Sequence, residues 1–385
     1  MNFVAISPHF PPNYLPFWVQ LRRQGVNVLG LADTPWNDLP TELQATLNEY
    51  YYVWNAHDYD AMLRAMGYFT HRYGKIDRLE SHNEFWLESD ARLRTDFNIP
   101  GLHTSGIACV KRKSEMKKMF KKAGLAFIPG RVCLTLEEAE AAAEEFGYPL
   151  VAKPDIGVGA SSTFKVHDHD ELERFYDSKP LEDYILEQFI EGDIVTYDGL
   201  TDQSGSVVFD SSMQYSGIMD TVNLGLETWY YIVREIPPDL QAAGRQIVKV
   251  YRLFERFFHL EFFRTTDGDL VPLEVNMRPP GGLTTDMWNY ANDIDIYREY
   301  ANVVVSDRFE ARITRPYFCA YAGRRYQSPY CRTHQEILAA FPREVVYSGP
   351  INGVFSAAIG DYGYVVRSPD EGTIRAAIDF IHERD

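Results

Sequence analysis

The sequence has few cysteines and no long apolar run. Its four cysteines, in 385 residues, are scattered and form no Cys-x-x-Cys pair, so neither a zinc site nor a disulfide framework is predicted. A reducing cytoplasm is the simplest location for such a chain. No apolar stretch reaches the roughly 18 residues that cross a bilayer, and the N-terminus has no basic signal-peptide region. We therefore expect a cytoplasmic protein that makes no use of a membrane.

Positive charge is also in deficit. The 38 Lys and Arg residues are outnumbered by 55 Asp and Glu residues, which gives a net charge of −17. Nucleic acids and anionic membranes bind to basic surfaces, so neither is an expected partner. A small phosphorylated ligand remains compatible with this composition, because it needs only a local basic pocket.

Several familiar catalytic motifs are missing. The opening β-α-β pattern has no Gly-x-Gly-x-x-Gly, so a dinucleotide site is not expected. The glycine-rich stretch after Lys153 is not a Walker A loop, because no Gly-Lys-Ser/Thr follows it and no helix begins there. No Ser-His-Asp or Cys-His arrangement stands out.

The clearest chemical signal is a predicted β-hairpin. Phe257–Arg264 and Leu270–Met277 have strand composition, and Asp267-Gly268 is a strong two-residue turn. With that loop, Glu261 lies directly opposite Glu274. Like charges in such a position repel and destabilise a hairpin.

A hard divalent cation would turn this repulsion into coordination. Asn276 lies on the same strand face as Glu274, two residues further on. Carboxylate and amide oxygens suit Mg²⁺ or Mn²⁺, so Glu261, Glu274 and Asn276 are predicted metal ligands. Arg278 follows on that face and suits an anion. The alternative is a solvated strand face with acids placed by chance.

Two further stretches are candidates for binding phosphate. The strand that ends in Lys153 leads into a Gly/Ser loop over 154–162, whose N–H groups can surround phosphate oxygens. Gly-rich hairpin tips are common, so the loop alone is weak evidence. A basic helix is predicted over Val110–Ala123. It is either a solvated face or a source of one lysine that faces an anion.

In chain order, a helix lysine, a strand lysine, a glycine-rich loop, a Glu-x-x-Ile segment and the acid, acid and Asn of the hairpin resemble the ATP-grasp superfamily. The resemblance covers roughly Ile99–Val305, and the segment LEVNMRPPGG is similar to the superfamily's E-x-N-x-R-P-x-G. It implies an α/β and α+β fold: an N-terminal Rossmann-like (pre-ATP-grasp) α/β domain, a small lid subdomain and a C-terminal mixed β domain. The expected boundaries are 1–108, 109–192 and 193–385.

The resemblance also implies roles for individual residues. Lys113 and Lys153 would bind phosphates, with Lys111 and Lys117 as alternatives to Lys113, because Arg112 stands where many members have Asp. Arg278 and Lys153 would be catalytic. The implied nucleotide-binding set is Lys113, Lys153, Gly157, Gly159, Ser161, Ser162, Glu187, Gln188, Phe189, Ile190 and Asp193.

The chain looks most like the carboxylate–amine ligases that join amino acids. This implies an ATP- and Mg²⁺-dependent enzyme that joins a small-molecule carboxylate, favouring an amino acid, to an amine through an acylphosphate, releasing ADP and phosphate. A bicarbonate or hydroxyl acceptor is the alternative, and a non-catalytic ATP-binding regulator is less favoured. Small molecules are the expected partners, and a homodimer is the default assembly. Candidate pocket residues are Arg278, Trp229, Tyr231 and the 82–84 turn, although core packing is the better explanation for Trp229 and Tyr231 taken singly, because buried aromatics are mostly structural.

Overall fold

The chain begins as a parallel α/β layer. The computed structural model describes residues 1–157, 162–215 and 227–384. Four parallel strands lie in the order β3–β2–β1–β4, and the residues of the two central strands, β2 and β1, are largely buried, as expected for strands covered on both faces. The elements are β1 (Asn2–Ile6), α1 (Leu15–Arg23), β2 (Asn27–Ala32), α2 (Thr41–Thr46), β3 (Glu49–Tyr52), α3 (Tyr59–Tyr73), β4 (Arg78–Glu80) and α4 (Leu87–Asp96).

The predicted basic helix over Val110–Ala123 is wrong in one respect, because it is broken at Arg112. Arg112 has extended dihedral angles (φ −101°, ψ 121°) and separates α5 (Thr104–Lys111) from α6 (Lys113–Lys122). Asp155 causes the break, because its carbonyl accepts the N–H of Lys113 at 2.9 Å and its carboxylate accepts the N–H of Ser114 at 2.8 Å. Lys113 therefore stands at the first position of a new helix.

A small β-α-β-β-α-β unit follows, with its own core. Its sheet has the order β5–β8–β6–β7 and is antiparallel. The buried apolar residues of this unit form a separate cluster around Leu150, Leu172 and Leu186. The element order is the one predicted for a lid. The elements are β5 (Gly130–Val132), α7 (Leu136–Phe146), β6 (Leu150–Pro154), β7 (Phe164–Val166), α8 (His169–Ser178) and β8 (Tyr184–Gln188).

The rest of the chain is built on a large sheet of order β14–β13–β9–β11–β12–β15–β17–β16, with β10 paired to β9. Every strand pairing that the described residues make in it is antiparallel. Its strands are β9 (Gly192–Thr201), β10 (Val207–Ser211), β11 (Met213–Tyr215), β12 (Trp229–Ile232), β13 (Phe257–Thr265), β14 (Leu270–Asn276), β15 (Phe318–Arg324), β16 (Val345–Pro350) and β17 (Tyr362–Ser368). Its helices are α9 (Pro238–Tyr251), α10 (Thr284–Asn292), α11 (Ile296–Ser306), α12 (His334–Ala340), α13 (Gly353–Ile359) and α14 (Glu371–His382).

The two faces of the large sheet are covered differently at β9 and β13. On one face, Tyr197, Leu260 and Phe262 pack with α9, which approaches closely at Gly244: a Cβ there would lie 2.0 Å from the Tyr197 ring. On the other face, Phe257 and Leu200 join the core formed with α1, α10 and α11. This second face carries the polar groups described below.

Buried ion pairs join the N-terminal layer to the start of β13. Arg78 pairs with Glu255, and Arg256 pairs with Glu80 at the end of β4. Arg256 also donates to the carbonyl of Met277, 2.9 Å away. The layer and the β13–β14 hairpin are therefore held together by charges that would be costly to separate.

The predicted fold class, with a parallel α/β layer, a small lid unit and a larger β region, is confirmed. The boundaries at 108 and 192 stay a prediction. Within the described ranges, no helix combines the length and apolarity needed to cross a membrane.

Candidate active site

The β13–β14 hairpin holds Glu261 opposite Glu274, as predicted, although its turn differs from the prediction. The Thr265 N–H donates to the Asp269 carbonyl, so three residues, 266–268, form the loop instead of two. A β-bulge then adds Leu273 to the return strand and shifts the register back by one residue. The two departures cancel, and the carboxylates face each other.

Polar side chains form two rows across β14, β13 and β9. His259 is central: its Nδ1 lies 2.6 Å from Oδ1 of Asp198, and its Nε2 lies 3.0 Å from Oε1 of Glu261. Sequence reasoning missed His259, Asp198 and Thr196; the His-x-Glu spacing before Glu261 was the available signal. The first row is Glu274, Glu261 and Thr196, and the second is Asn276, His259 and Asp198.

The facing carboxyl groups differ in acidity. Burial raises the pKa of Glu274, and the negative charge of Glu261 raises it further, although the positive charge of Lys113 acts to lower it. Burial also acts to raise the pKa of Glu261, but the hydrogen bond and charge of His259 and the charge of Arg278 outweigh it and lower that pKa. Glu261 therefore holds its negative charge more firmly than Glu274 does.

This donor set fits a hard divalent cation. Glu261 and Glu274 are directly opposed, and the Asn276 side chain is buried beside them. Two carboxylates so placed repel each other unless a positive charge lies between them. The oxygens of these three residues are the ligand types that Mg²⁺ and Mn²⁺ take.

Glu187 joins two lysines next to this face. Its carboxylate lies 2.6 Å from Nζ of Lys153 and 2.8 Å from Nζ of Lys117, and only 3% of Glu187 is exposed. Burial opposes ionisation of Glu187, but the charges of Lys153 and Lys117 outweigh it and lower its pKa. Lys153 is thus held in place by a buried ion pair.

The three candidate lysines of the linker helices have different surroundings. Lys111 pairs with Glu84 at 2.9 Å, and Lys117 pairs with Glu187. Lys113 Nζ donates to the Gly157 carbonyl at 3.1 Å and makes no ion pair within 4.0 Å with any described residue. Burial lowers the pKa of Lys113, against the opposing charge of Glu274. Of the three, Lys113 is the lysine with an ammonium group that no carboxylate neutralises directly.

Arg278 and the turn after β4 come together at the same place. Arg278 donates to the Pro279 carbonyl at 2.8 Å, and its Nε lies 3.6 Å from Oε2 of Glu84. Glu84 belongs to the polar turn that follows a parallel strand, the position where α/β layers bind ligands. The sequence-predicted pocket residues Arg278 and Glu84 are therefore neighbours, although 194 positions separate them in the sequence.

The Glu-x-x-Ile segment of the predicted nucleotide-binding set, residues 187–190, lies at the end of β8 and just after it. The N–H groups of Gln188 and Phe189 donate to the carbonyls of Pro129 and Pro149, and Ile190 is half-buried. Asp193 is not brought to the polar rows. It lies opposite Arg264 in the register of β9 and β13, on the sheet face that packs against α9, where Arg264 donates to the carboxylate of Asp239.

The predicted phosphate loop is only partly described. Gly157 accepts the hydrogen bond from Lys113, and Ser162 is half-buried in a turn before β7. The predicted residues Gly159 and Ser161 lie outside the described residues. Their roles stay predictions.

Two aromatic pocket candidates lie on the opposite sheet face. In the strand register, Gln214 of β11 lies opposite Val195 of β9 on one side and Tyr231 of β12 on the other, so the three side chains lie on the same face of the sheet. Because successive side chains along a strand point to opposite faces, Val195 is on the face opposite to the polar rows. Tyr231 lines a cavity of about 540 Å³ on that face, and Trp229 stacks on Tyr231 beside the core formed with α14. Trp229 and Tyr231 therefore belong to a different part of the molecule.

Comparison with known proteins shows which family and fold the chain resembles. Residues 146–286 match the family model described as ATP-grasp domain. The chain is 24% identical, over 247 residues, to the L-arginine-specific L-amino acid ligase of Bacillus subtilis. The aligned part covers 59% of this chain and 60% of that relative, so the chain spans less than two thirds of its length.

Two solved structures show the fold similarity. The L-amino acid ligase from Bacillus licheniformis superposes with a TM-score of 0.75 at 17% identity, covering 98% of this chain and 95% of that one. The biotin carboxylase domain of the Hydrogenobacter thermophilus 2-oxoglutarate carboxylase, solved with MgADP and bicarbonate, has a TM-score of 0.67 at 16% identity, covering 97% and 89%. The chain therefore contains an ATP-grasp domain and has the ATP-grasp fold.

Proposed function

We propose that this protein is an ATP- and Mg²⁺-dependent ligase that joins a small-molecule carboxylate, an amino acid, to an amine. The observation that carries the proposal is the convergence of Glu261, Glu274 and Asn276 with Lys113, Lys153 and Arg278. The alignment with an L-amino acid ligase supports the choice of substrate class.

ATP is the phosphoryl donor in this proposal. Lys113 and Lys153 provide positive charge for its phosphates, and Glu187 orients Lys153 through their buried pair. Glu261, Glu274 and Asn276 would hold the metal ion, which supplies further positive charge to the phosphates when bound. Phosphoryl transfer depends mainly on positioning and on stabilisation of charge, and these residues provide both.

The reaction has two steps. The substrate carboxylate attacks the γ-phosphorus of ATP, which forms an acylphosphate and releases ADP. The amine then attacks the acyl carbon, an amide bond forms, and inorganic phosphate leaves. In this proposal, Arg278 binds the carboxylate and, after transfer, the phosphoryl group of the acylphosphate. The lid would limit hydrolysis of that intermediate by excluding water.

The test is phosphate release from ATP and Mg²⁺ with pooled amino acids, other carboxylates and amines, followed by mass spectrometry. We expect phosphate only when a carboxylate and an amine are both present, together with a product whose mass is their sum less water. Release with bicarbonate alone would favour the carboxylase alternative, and ADP without phosphate would favour a kinase. ATP binding without turnover in every pool would favour a regulator. Homodimer formation and a cytoplasmic location stay predictions.

A further inference from the structure

Within the part of the chain that the structure describes, the buried Glu84 carboxylate accepts hydrogen bonds through only one of its two oxygens. Its Oε1 accepts a hydrogen bond from Lys111 Nζ at 2.9 Å. Its Oε2 accepts no hydrogen bond from any described residue, and the nearby Arg278 Nε, at 3.6 Å, is beyond hydrogen-bonding distance. Only 8% of Glu84 is exposed. A buried carboxylate oxygen without a donor costs free energy, so this atom calls for a partner.

The turn that carries Glu84 is firmly held. Asp90 accepts hydrogen bonds from the N–H and the hydroxyl of Ser81, at 3.1 and 2.7 Å. The Asn83 side chain accepts the N–H of Phe85 at 2.9 Å. Glu84 is therefore presented by a rigid turn at the carboxyl end of β4, and its free oxygen faces the arginine that follows the metal hairpin.

We propose that Glu84 and Arg278 together form the binding site for an α-amino acid, with its ammonium group on Glu84 Oε2 and its carboxylate on Arg278. This assignment rests on the proposed ligase function, in which that carboxylate receives the phosphoryl group. Lys111 already pairs with Oε1 of Glu84, so Oε2 of Glu84 and the guanidinium of Arg278 are the two charged groups left for a ligand. A zwitterion offers each of them the opposite charge.

The pair also excludes other carboxylates. Bicarbonate and amine-free carboxylic acids have no ammonium group, so they would bring negative charge toward Glu84 Oε2 and leave that oxygen without a donor. Glu84 is thus a residue that determines specificity for amino acids.

The experiment compares matched ligands by isothermal titration calorimetry on the full chain, without ATP. The pairs are L-alanine with propionate, L-leucine with 4-methylpentanoate, and L-phenylalanine with 3-phenylpropionate. For the wild type, we expect the amino acid of at least one pair to bind about tenfold or more tightly than its amine-free partner.

Glu84→Gln should abolish this preference or reverse it. Loss of the negative charge weakens binding of the amino acid about tenfold or more, whereas the amine-free acid binds as tightly as before or more tightly. A variant that had only lost its fold would bind both ligands more weakly. Glu88→Gln is the matched control, because Glu88 is exposed nearby on α4; it should keep the wild-type preference.

The outcomes separate this inference from the ligase proposal. An unchanged preference in Glu84→Gln, or a wild type that binds no amino acid of the panel or prefers the amine-free acids, would overturn the inference. A preference that Glu84→Gln abolishes or reverses would support it, even if the turnover assay shows no ligation. Ligation with an unchanged preference in Glu84→Gln would support the ligase proposal and refute the role of Glu84.

Discussion

The carboxylate of Glu187 lies 2.6 Å from Nζ of Lys153, in a pair that is almost fully buried. Glu187→Gln should destabilise the protein by about 3 kcal/mol, because it leaves Lys153 and Lys117 close together without their counter-charge. The free energy of unfolding from urea titration measures this. Glu145→Gln is the control, since Glu145 pairs with Arg131 at an exposed site of the same lid and should cost less than about 1 kcal/mol. Equal losses in both variants would contradict the interpretation.

Glu274→Gln should lower ATP turnover by about 100-fold or more while the fold is kept. Removing one of two facing carboxylates relieves their repulsion, so the thermal midpoint measured without metal should not fall. ADP release with Mg²⁺ and thermal denaturation with EDTA check the two effects. The control is Asp269→Asn, at the exposed turn of the same hairpin, which should leave both the rate of ADP release and the thermal midpoint unchanged. Normal turnover in Glu274→Gln would refute the metal assignment.

Lys113→Met should raise the KM for ATP about tenfold or more, because this ammonium group has no carboxylate partner within 4.0 Å among the described residues and is free for phosphate. Steady-state kinetics at varied ATP concentration measure the effect. Lys121→Met, on the exposed side of α6, is the control and should behave as wild type. A larger rise in KM for Lys111→Met or Lys117→Met would show that another lysine has this role.

His82 should make stability depend on pH in the acid range. Its ring packs among Phe17, Trp18 and Tyr300, and burial lowers its pKa from 6.5 to about 4. Because the unfolded chain binds the proton more readily, His82 favours folding above pH 6.5, and this contribution is lost as the pH falls toward 4. This contribution of His82 to the free energy of unfolding is about 3 kcal/mol.

The measurement is the free energy of unfolding of wild type and His82→Asn at several pH values. Asn tolerates the left-handed backbone at this position, where φ is 55°. The variant should lose less stability than wild type between pH 6.5 and 4. The free energies of unfolding of the variant and the wild type must be compared at each pH, because a second group also titrates in this range. Burial raises the pKa of Asp90 to about 6, so protonation of Asp90 favours folding as the pH falls, opposite to the effect of His82. Parallel curves would contradict the prediction.

The sequence alone was sufficient for what depends on local pattern. Strand composition, a turn containing glycine and two acids at the right separation predicted the facing pair of Glu261 and Glu274. The length of the loop and the bulge at Leu273 were not predictable, because both depend on how the two strands pair with each other. The opposed positions were right because two register differences cancel.

Features that depend on distant contacts could not be predicted. The helix break at Arg112 is caused by Asp155, 43 residues away, which competes for the N–H groups of Lys113 and Ser114. The face of the sheet on which the Tyr231 side chain lies depends on which strands pair with β12. The meeting of Glu84 with Arg278 requires the packing of two separate layers, and no periodicity in either segment encodes it.

The ion pairs between the N-terminal layer and β13 limit how this protein can be recombined with its relatives. Arg78 and Glu80 are complementary to Glu255 and Arg256, which follow them by more than 170 residues. A chimera whose imported N-terminal layer lacks Arg78 and Glu80 would leave Glu255 and Arg256 without their partners at the base of the hairpin. Functional exchange for such a layer therefore requires positions 255 and 256 to be exchanged with it.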